Sequence, residues 1–218
     1  MIFWIVFLLA FFISMVMTPI AIWIAPKIGA VDIPKDTRRM HTKPMPRFGG
    51  MAIFIGTMAA IFAIILSLSD ELRIEMLSEG ADWHNIPKET MLGIAVGGML
   101  IYLLGIIDDL KNLPAKFKFA CQIGIACIPY FFGVRINFVT NHFGVSFGDS
   151  HSYFTGVICF FITIIWITGV TNTVNLIDGL DGLACGVAAI SSLCLAYIEY
   201  IHGLYIPALA MLALAGGA

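Results

Sequence analysis

Polar side chains recur at every third position where a long apolar run ends near the end of the chain. They are Asn172, Asn175, Asp178 and Asp181, in the segment N-T-V-N-L-I-D-G-L-D-G-L. The uncharged stretch 152–177 before the first carboxylate is 26 residues long, whereas a helix needs about 20 apolar residues to cross a bilayer. Carboxylates at a membrane boundary are costly, so this pattern indicates a binding or reaction site more than a scaffold.

The glycines of this segment indicate how its carboxylates could be brought together. On an ideal α-helix each step of three lags by about 60°, so Asn172 and Asp181 would face opposite ways. Gly179 and Gly182 predict instead that the helix opens near Asp178, which would aim both carboxylates into one pocket. The alternative is helix capping with close glycine packing, which explains one Asp and one Gly but not four polar side chains.

A second candidate is the adjacent pair Asp108 and Asp109, at the end of the uncharged run 91–107. Two neighbouring carboxylates repel each other, and a divalent metal or a lysine would relieve the repulsion. Mg²⁺ prefers carboxylate and phosphate oxygens, and such a pair also suits a general base. The alternative is a solvated helix end, with Pro114 closing the turn.

A third candidate is the segment 32–50, which ends in H-T-K-P-M-P-R-F-G-G. It combines one imidazole with several cations, among them His41, Lys43 and Arg47. Its three prolines oppose a continuous helix and predict an extended backbone, while Gly49 and Gly50 would allow a sharp turn into the next apolar run. A rigid cationic loop suits an anionic ligand such as a diphosphate; the alternative is a loop that only fixes topology.

The composition decides which elements position these segments. The chain is 60% hydrophobic and 12% charged, with a mean hydropathy of +0.95, whereas a soluble domain carries about 25% charged residues. These values predict an all-α polytopic integral membrane protein with a single transmembrane domain over 1–218. Uncharged runs predict seven spans, at about 2–24, 49–69, 91–107, 119–134, 154–172, 183–198 and 203–218.

The basic residues predict the orientation of these spans. Nine of the twelve lie on alternate loops: Lys27, Lys35, Arg38, Arg39, Lys43, Arg47, Lys111, Lys116 and Lys118. The positive-inside rule assigns those loops to the cytoplasm, which puts all three candidate segments on the cytoplasmic face. The outer segment 135–153 alternates β-branched or aromatic residues with polar ones around Gly144 and predicts a small hairpin. The basic residues are too dispersed for a nucleic-acid site, and no zinc-ligand pattern is present.

With these three segments in view, the chain resembles the polyprenyl-phosphate N-acetylhexosamine-1-phosphate transferases. The segments that carry the resemblance are H-T-K-P-M-P-R-F-G-G, G-I-I-D-D-L and N-T-V-N-L-I-D-G-L-D-G-L. The H-x-x-P-x-P-R-x-G-G form of the first segment favours the bacterial branch that transfers N-acetylglucosamine 1-phosphate to undecaprenyl phosphate and initiates teichoic acid or similar envelope polymers. The muramoyl-pentapeptide transferases of peptidoglycan synthesis are a second enzymatic reading, and a membrane cation transporter is a reading from another class.

The resemblance implies a plasma-membrane enzyme that uses a UDP-sugar, a polyprenyl phosphate and Mg²⁺, with Mn²⁺ as an alternative metal and a homodimer as an expected assembly. It implies that Asp108 and Asp109 act on the lipid phosphate or metal, and that Asp178 is a metal ligand. The residues that it places near the nucleotide sugar are His41, Lys43, Arg47, Asn172, Asn175, Gly179, Leu180 and Asp181.

One departure from the family concerns length. Family members have about ten or eleven spans, and this chain stops in the seventh. A later Gly-Asp-x-Gly-Ser-like segment and a His-rich loop are missing, so we expect either a fragment of a longer protein or a chain that cannot catalyse alone.

Overall fold

The structure is a computed structural model that describes residues 2–32, 44–67, 88–140, 151–153 and 156–218. These residues form seven helices and two pairs of short strands. The helices are α1 (Ile2–Ile28), α2 (Gly50–Ser67), α3 (Lys88–Lys111), α4 (Ala115–Phe131), α5 (Gly156–Ile177), α6 (Leu183–Ile201) and α7 (Tyr205–Gly217). The strands are β1 (Val31–Asp32), β2 (Met45–Pro46), β3 (Phe138–Thr140) and β4 (His151–Tyr153).

The prediction of an α-helical multi-pass membrane protein is confirmed. Four helices, α1, α3, α5 and α6, are long and apolar enough to cross a bilayer. The other three predicted spans are also helical: α2 and α7 are shorter apolar helices, and α4 has 17 residues with two lysines in its first turn. Large side chains such as Trp4, Ile165 and Trp166 are exposed, which suits surfaces that face lipid tails.

The chain divides into two compact units. The first comprises Met1–Asn85, Asp109–Asn112 and Asp178–Ala218, and the second comprises Ile86–Asp108 and Leu113–Ile177. Each unit therefore contains parts of the candidate segments.

Small residues bring α1, α2 and α7 together in the first unit. Its core contains Val6 and Ala10 of α1, Ala60 of α2, and Leu209 and Ala213 of α7. The Ser14 hydroxyl donates a hydrogen bond of 2.7 Å to the carbonyl of Gly217. Close backbone approach and interhelical hydrogen bonds are what hold helices together in lipid, where the hydrophobic effect contributes little.

Gly56 of α2 provides a test of this packing. A Cβ atom at this position would lie 2.8 Å from the carbonyl oxygen of Ala10, so the two helices would have to separate. We expect Gly56→Val to lower the free energy of unfolding by about 1–3 kcal/mol, measured as a fall in the melting temperature of the detergent-solubilised protein. The matched control is Gly98→Val in α3, where an added Cβ would meet nothing within 4 Å. An equal fall for both variants would contradict this account.

Helices α4 and α5 run antiparallel in the second unit. At one end of the pair the Tyr130 hydroxyl donates to the carbonyl of Gly156 over 3.3 Å, beside a buried cluster that includes Ala126, Cys159 and Ile164. The Thr163 hydroxyl accepts a 3.0 Å hydrogen bond from the backbone N–H of Ile136. These contacts fix the end of the pair that is remote from the candidate residues.

The predicted hairpin is confirmed in its strands. β3 and β4 pair antiparallel, with Val139 opposite Ser152. The turn predicted around Gly144 lies outside the described residues.

The described end of the loop before α2, residues 44–49, includes a short extended segment, as Pro44 and Pro46 predict; Pro34 lies outside the described residues. β1 and β2 pair antiparallel, with Val31 opposite Pro46, and the backbone N–H of Arg47 donates to the carbonyl of Ala30 over 3.0 Å. The turn predicted at Gly49 and Gly50 is present: the backbone N–H of Met51 donates to the carbonyl of Phe48 over 3.3 Å, and α2 begins at Gly50. Neither glycine has a positive φ.

Candidate active site

Asp108 lies near the end of α3, where its carboxylate organises the following turn. Its Oδ1 accepts a 3.0 Å hydrogen bond from the backbone N–H of Leu113. The chain reverses between the two residues through Asn112, whose φ of 48° is left-handed, and Pro114 precedes the first turn of α4. The backbone thus holds the Asp108 carboxylate through Oδ1, and Oδ2 makes a separate contact.

That second oxygen binds a lysine. The Lys118 ammonium lies 2.6 Å from Asp108 Oδ2 and donates a 3.1 Å hydrogen bond to Asn175 Oδ1 on α5. Of the two ways predicted to relieve repulsion at the aspartate pair, the lysine is the one found at Asp108. Lys118 therefore joins the candidate segment that contains Asp108 to the one that contains Asn175. The described residues take two of its three N–H donors, which leaves a donor for a substrate oxygen.

A second polar contact joins the same two helices. Gln122 of α4 is 3% exposed, and its Oε1 accepts a 2.7 Å hydrogen bond from Asn172 Nδ2. The same Asn172 amide donates to the carbonyl of Thr168 over 2.8 Å. Sequence reasoning missed Gln122, although a lone glutamine within the apolar run 119–134 is a signal for a buried polar contact.

Of the predicted site residues His41, Lys43 and Arg47 in the segment 32–50, the structure describes Arg47. It lies in the first unit, where its guanidinium donates to the side-chain oxygen of Asn112. Asn112 was not among the predicted residues. This contact ties the loop before α2 to the turn that follows Asp109, the half-buried second member of the aspartate pair. His41 and Lys43 lie outside the described residues.

The helix opens at Asp178, as predicted. α5 ends at Ile177, the next five residues form a turn, and α6 begins at Leu183. Gly182 has a φ of 76°, a left-handed conformation that favours glycine. The four predicted residues in this turn are all exposed: Asp178, Gly179, Leu180 and Asp181.

The carboxylates suit a magnesium ion only in combination with a substrate. Among the described residues no group of three or more His, Cys, Asp or Glu side chains could hold a metal ion. Mg²⁺ is usually bound by one or two carboxylates together with substrate phosphates and water. Asp109 and Asp178 carry carboxylates of this kind, and the Asp108 carboxylate binds the Lys118 ammonium.

Comparisons with known proteins identify the family of the chain. The sequence profile described as glycosyl transferase family 4 matches residues 91–218. The chain is 36% identical over 185 residues to the probable undecaprenyl-phosphate N-acetylglucosaminyl 1-phosphate transferase of Bacillus subtilis, covering 84% of the chain and 44% of that protein. It is 35% identical over 111 residues to the decaprenyl-phosphate N-acetylglucosaminephosphotransferase of Mycobacterium tuberculosis, covering 51% of the chain and 24% of that protein. The chain thus spans less than half the length of the curated relatives it matches.

Proposed function

Because the chain belongs to glycosyl transferase family 4, we propose that the complete protein transfers N-acetylglucosamine 1-phosphate from UDP-N-acetylglucosamine to undecaprenyl phosphate. An oxygen of the lipid phosphate attacks the β-phosphorus of the nucleotide sugar. The bond between that phosphorus and the bridging oxygen breaks, UMP leaves, and a lipid-linked diphosphate sugar remains. The name of the Bacillus subtilis relative supports this choice of sugar and lipid carrier.

The single observation that carries the proposal is the contact of Lys118 with both Asp108 and Asn175. A cation held between a carboxylate and an amide at a helix end is a preorganised site for a phosphate oxygen. We assign Lys118 to a substrate phosphate, through its remaining donor. Asp108 holds the ammonium in position and accepts a proton from, or orients, the attacking lipid phosphate.

The nucleotide sugar needs groups for its uridine and for its diphosphate. We assign four residues to the nucleoside: Asn175, Gly179, Leu180 and Asp181. Asn175 lies in the last turn of α5, and the other three lie in the exposed turn that opens the helix at the end of this apolar span. We assign the diphosphate to Arg47, His41 and Lys43 of the loop before α2. The Arg47 guanidinium is held by its hydrogen bond to Asn112.

Asp109 and Asp178 are the residues that would hold Mg²⁺ in this proposal. A bound Mg²⁺ would supply positive charge that stabilises the phosphate oxygens as negative charge develops on them. Lys118 and Asp108 have their roles in addition to that contribution.

The proposed site faces the cytoplasm. Asp108 and the carboxyl end of α5 lie at the same end of the antiparallel pair α4–α5, because Lys118 joins Asp108 to Asn175. Lys116 and Lys118 lie in the first turn of α4 at this end, and the positive-inside rule assigns such basic segments to the cytoplasm. A cytoplasmic site next to apolar helices gives a water-soluble nucleotide and a lipid phosphate access to the same carboxylate.

The test is a transfer assay with membranes that contain the complete protein. We expect radiolabelled UDP-N-acetylglucosamine and undecaprenyl phosphate with Mg²⁺ to give label in the lipid extract and an equal amount of UMP. Chelation of the metal with EDTA should abolish both signals, and Mg²⁺ should restore them.

Each rival function has its own result in this assay. Label from UDP-N-acetylmuramoyl-pentapeptide but not from UDP-N-acetylglucosamine would assign the protein to the peptidoglycan branch. Cation flux into proteoliposomes without any transfer would support a transporter and contradict our proposal.

A further inference from the structure

A buried amide pair lies one helical turn deeper than the contact between Lys118 and Asn175. It consists of Gln122 and Asn172, joined by a 2.7 Å hydrogen bond. Both N–H donors of the Asn172 amide are used within the protein, one by Gln122 and the other by the Thr168 carbonyl at 2.8 Å. With both donors used in this way, the substrate contact predicted for Asn172 would come from its side-chain oxygen.

The spacing of these residues links the amide pair to the candidate active site. Gln122 follows Lys118 by four residues on α4, and Asn172 precedes Asn175 by three residues on α5. Residues three or four apart lie on the same face of a helix. The two contacts are therefore successive polar connections between the same faces of two antiparallel helices.

We propose that Gln122 and Asn172 are positioning residues, which hold α4 and α5 in the one register that lets Lys118 reach Asp108 and Asn175 together. This inference rests on the function proposed above. The lysine stem is long and flexible, so Lys118 alone does not define its own position. The amide pair fixes the register of α4 against α5. A shift in register would leave Gln122, which is 3% exposed, without its hydrogen-bond partner, and this loss costs free energy.

A purely structural role makes a different prediction from a positioning role. If the amide pair only held the helices together, its loss would lower stability whichever residue occupied position 118. If it acts through Lys118, its loss should matter for turnover only while Lys118 is present. The two roles are separated by combining substitutions.

The first part of the test compares two substitutions of similar size. Gln122→Met removes the acceptor for Asn172, and we expect it to lower kcat by about 10- to 100-fold, as a small misplacement of a substrate-contacting group does. Gln122→Glu retains an acceptor oxygen in either protonation state, so we expect it to keep kcat within a few-fold of wild type. Both are measured in the transfer assay on the complete protein, beside melting temperatures.

The second part places Gln122→Met in a Lys118→Met background. We expect the double variant to be no slower than Lys118→Met alone, because groups that act as a unit are not additive. The matched control is Thr163→Val at the other end of the same helix pair, which removes the hydroxyl that accepts from the Ile136 N–H and donates to the Cys159 carbonyl. It should lower the melting temperature and leave kcat unchanged.

The outcomes separate this inference from the proposed function. Absence of transfer by the wild-type protein would overturn the proposed function and, with it, this inference. Transfer by the wild type, with normal kcat in Gln122→Met or with losses that multiply in the double variant, would overturn the inference alone.

Discussion

Asp108→Asn is expected to reduce transfer of N-acetylglucosamine 1-phosphate by about 10²- to 10⁴-fold, the range for loss of a group that moves a proton in the transition state. Asparagine has the same shape and keeps an acceptor for the Leu113 N–H, which lies 3.0 Å from Asp108 Oδ1. It lacks the negative charge that holds Lys118 and accepts a proton. The loss should therefore appear in kcat, measured as initial rates of UMP release, with little change in melting temperature.

The control for this substitution is Glu89→Gln at the opposite end of the same helix. Glu89 is exposed and lies in the first turn of α3, so neutralising it removes one negative charge without touching the candidate site. We expect normal turnover in this variant. Turnover of Asp108→Asn equal to that of Glu89→Gln would remove Asp108 from the reaction.

Lys118→Met is expected to lower kcat/KM by about 10²- to 10³-fold, the range for removal of one preorganised donor from a developing negative charge. The substitution keeps an unbranched apolar stem and removes the ammonium, which lies 2.6 Å from Asp108 and 3.1 Å from Asn175. Asp108 then loses its cation. The measurement is kcat/KM for the nucleotide sugar and for the lipid phosphate separately, since the substrate whose KM rises is the one that Lys118 contacts.

Two further variants make this result specific. Lys116→Met removes a nearby exposed lysine two positions earlier on α4, which does not share the face of Lys118, and it should leave kcat/KM unchanged. Lys118→Arg keeps the charge but replaces a compact ammonium with a planar fork, so it should restore only part of the activity. Equal losses for Lys116→Met and Lys118→Met would indicate a general effect of charge and contradict the assignment.

The sequence predicts the membrane class and the opening at Asp178 because these depend on local patterns. A long apolar run indicates a span. A carboxylate followed by glycine at the end of that run predicts a turn, and the left-handed φ of 76° at Gly182 agrees with it. Such features depend on a few neighbouring residues.

The partner of Asp108 could be predicted only by type. A lysine was one of two expected ways to relieve the repulsion between the aspartates, but three lysines follow within ten residues, at 111, 116 and 118. Which of them reaches Asp108 depends on the turn through Asn112 and on the start of α4 after Pro114. The contacts of Gln122 with Asn172 and of Arg47 with Asn112 join residues 50 and 65 positions apart, and they depend on helix register, which composition does not determine.

The hydrogen bond between Ser14 and Gly217 has a consequence for the order of assembly. Its two residues are 203 positions apart, so α1 finds this partner only after α7 has been synthesised. The α4–α5 pair is consecutive in the chain and can form as soon as α5 is inserted, because a shorter connecting segment closes at lower entropic cost. The lysine and its two ligands would then be in place before α1 acquires its late partner, and arrest of translation before α7 should leave α1 accessible to quality-control proteases.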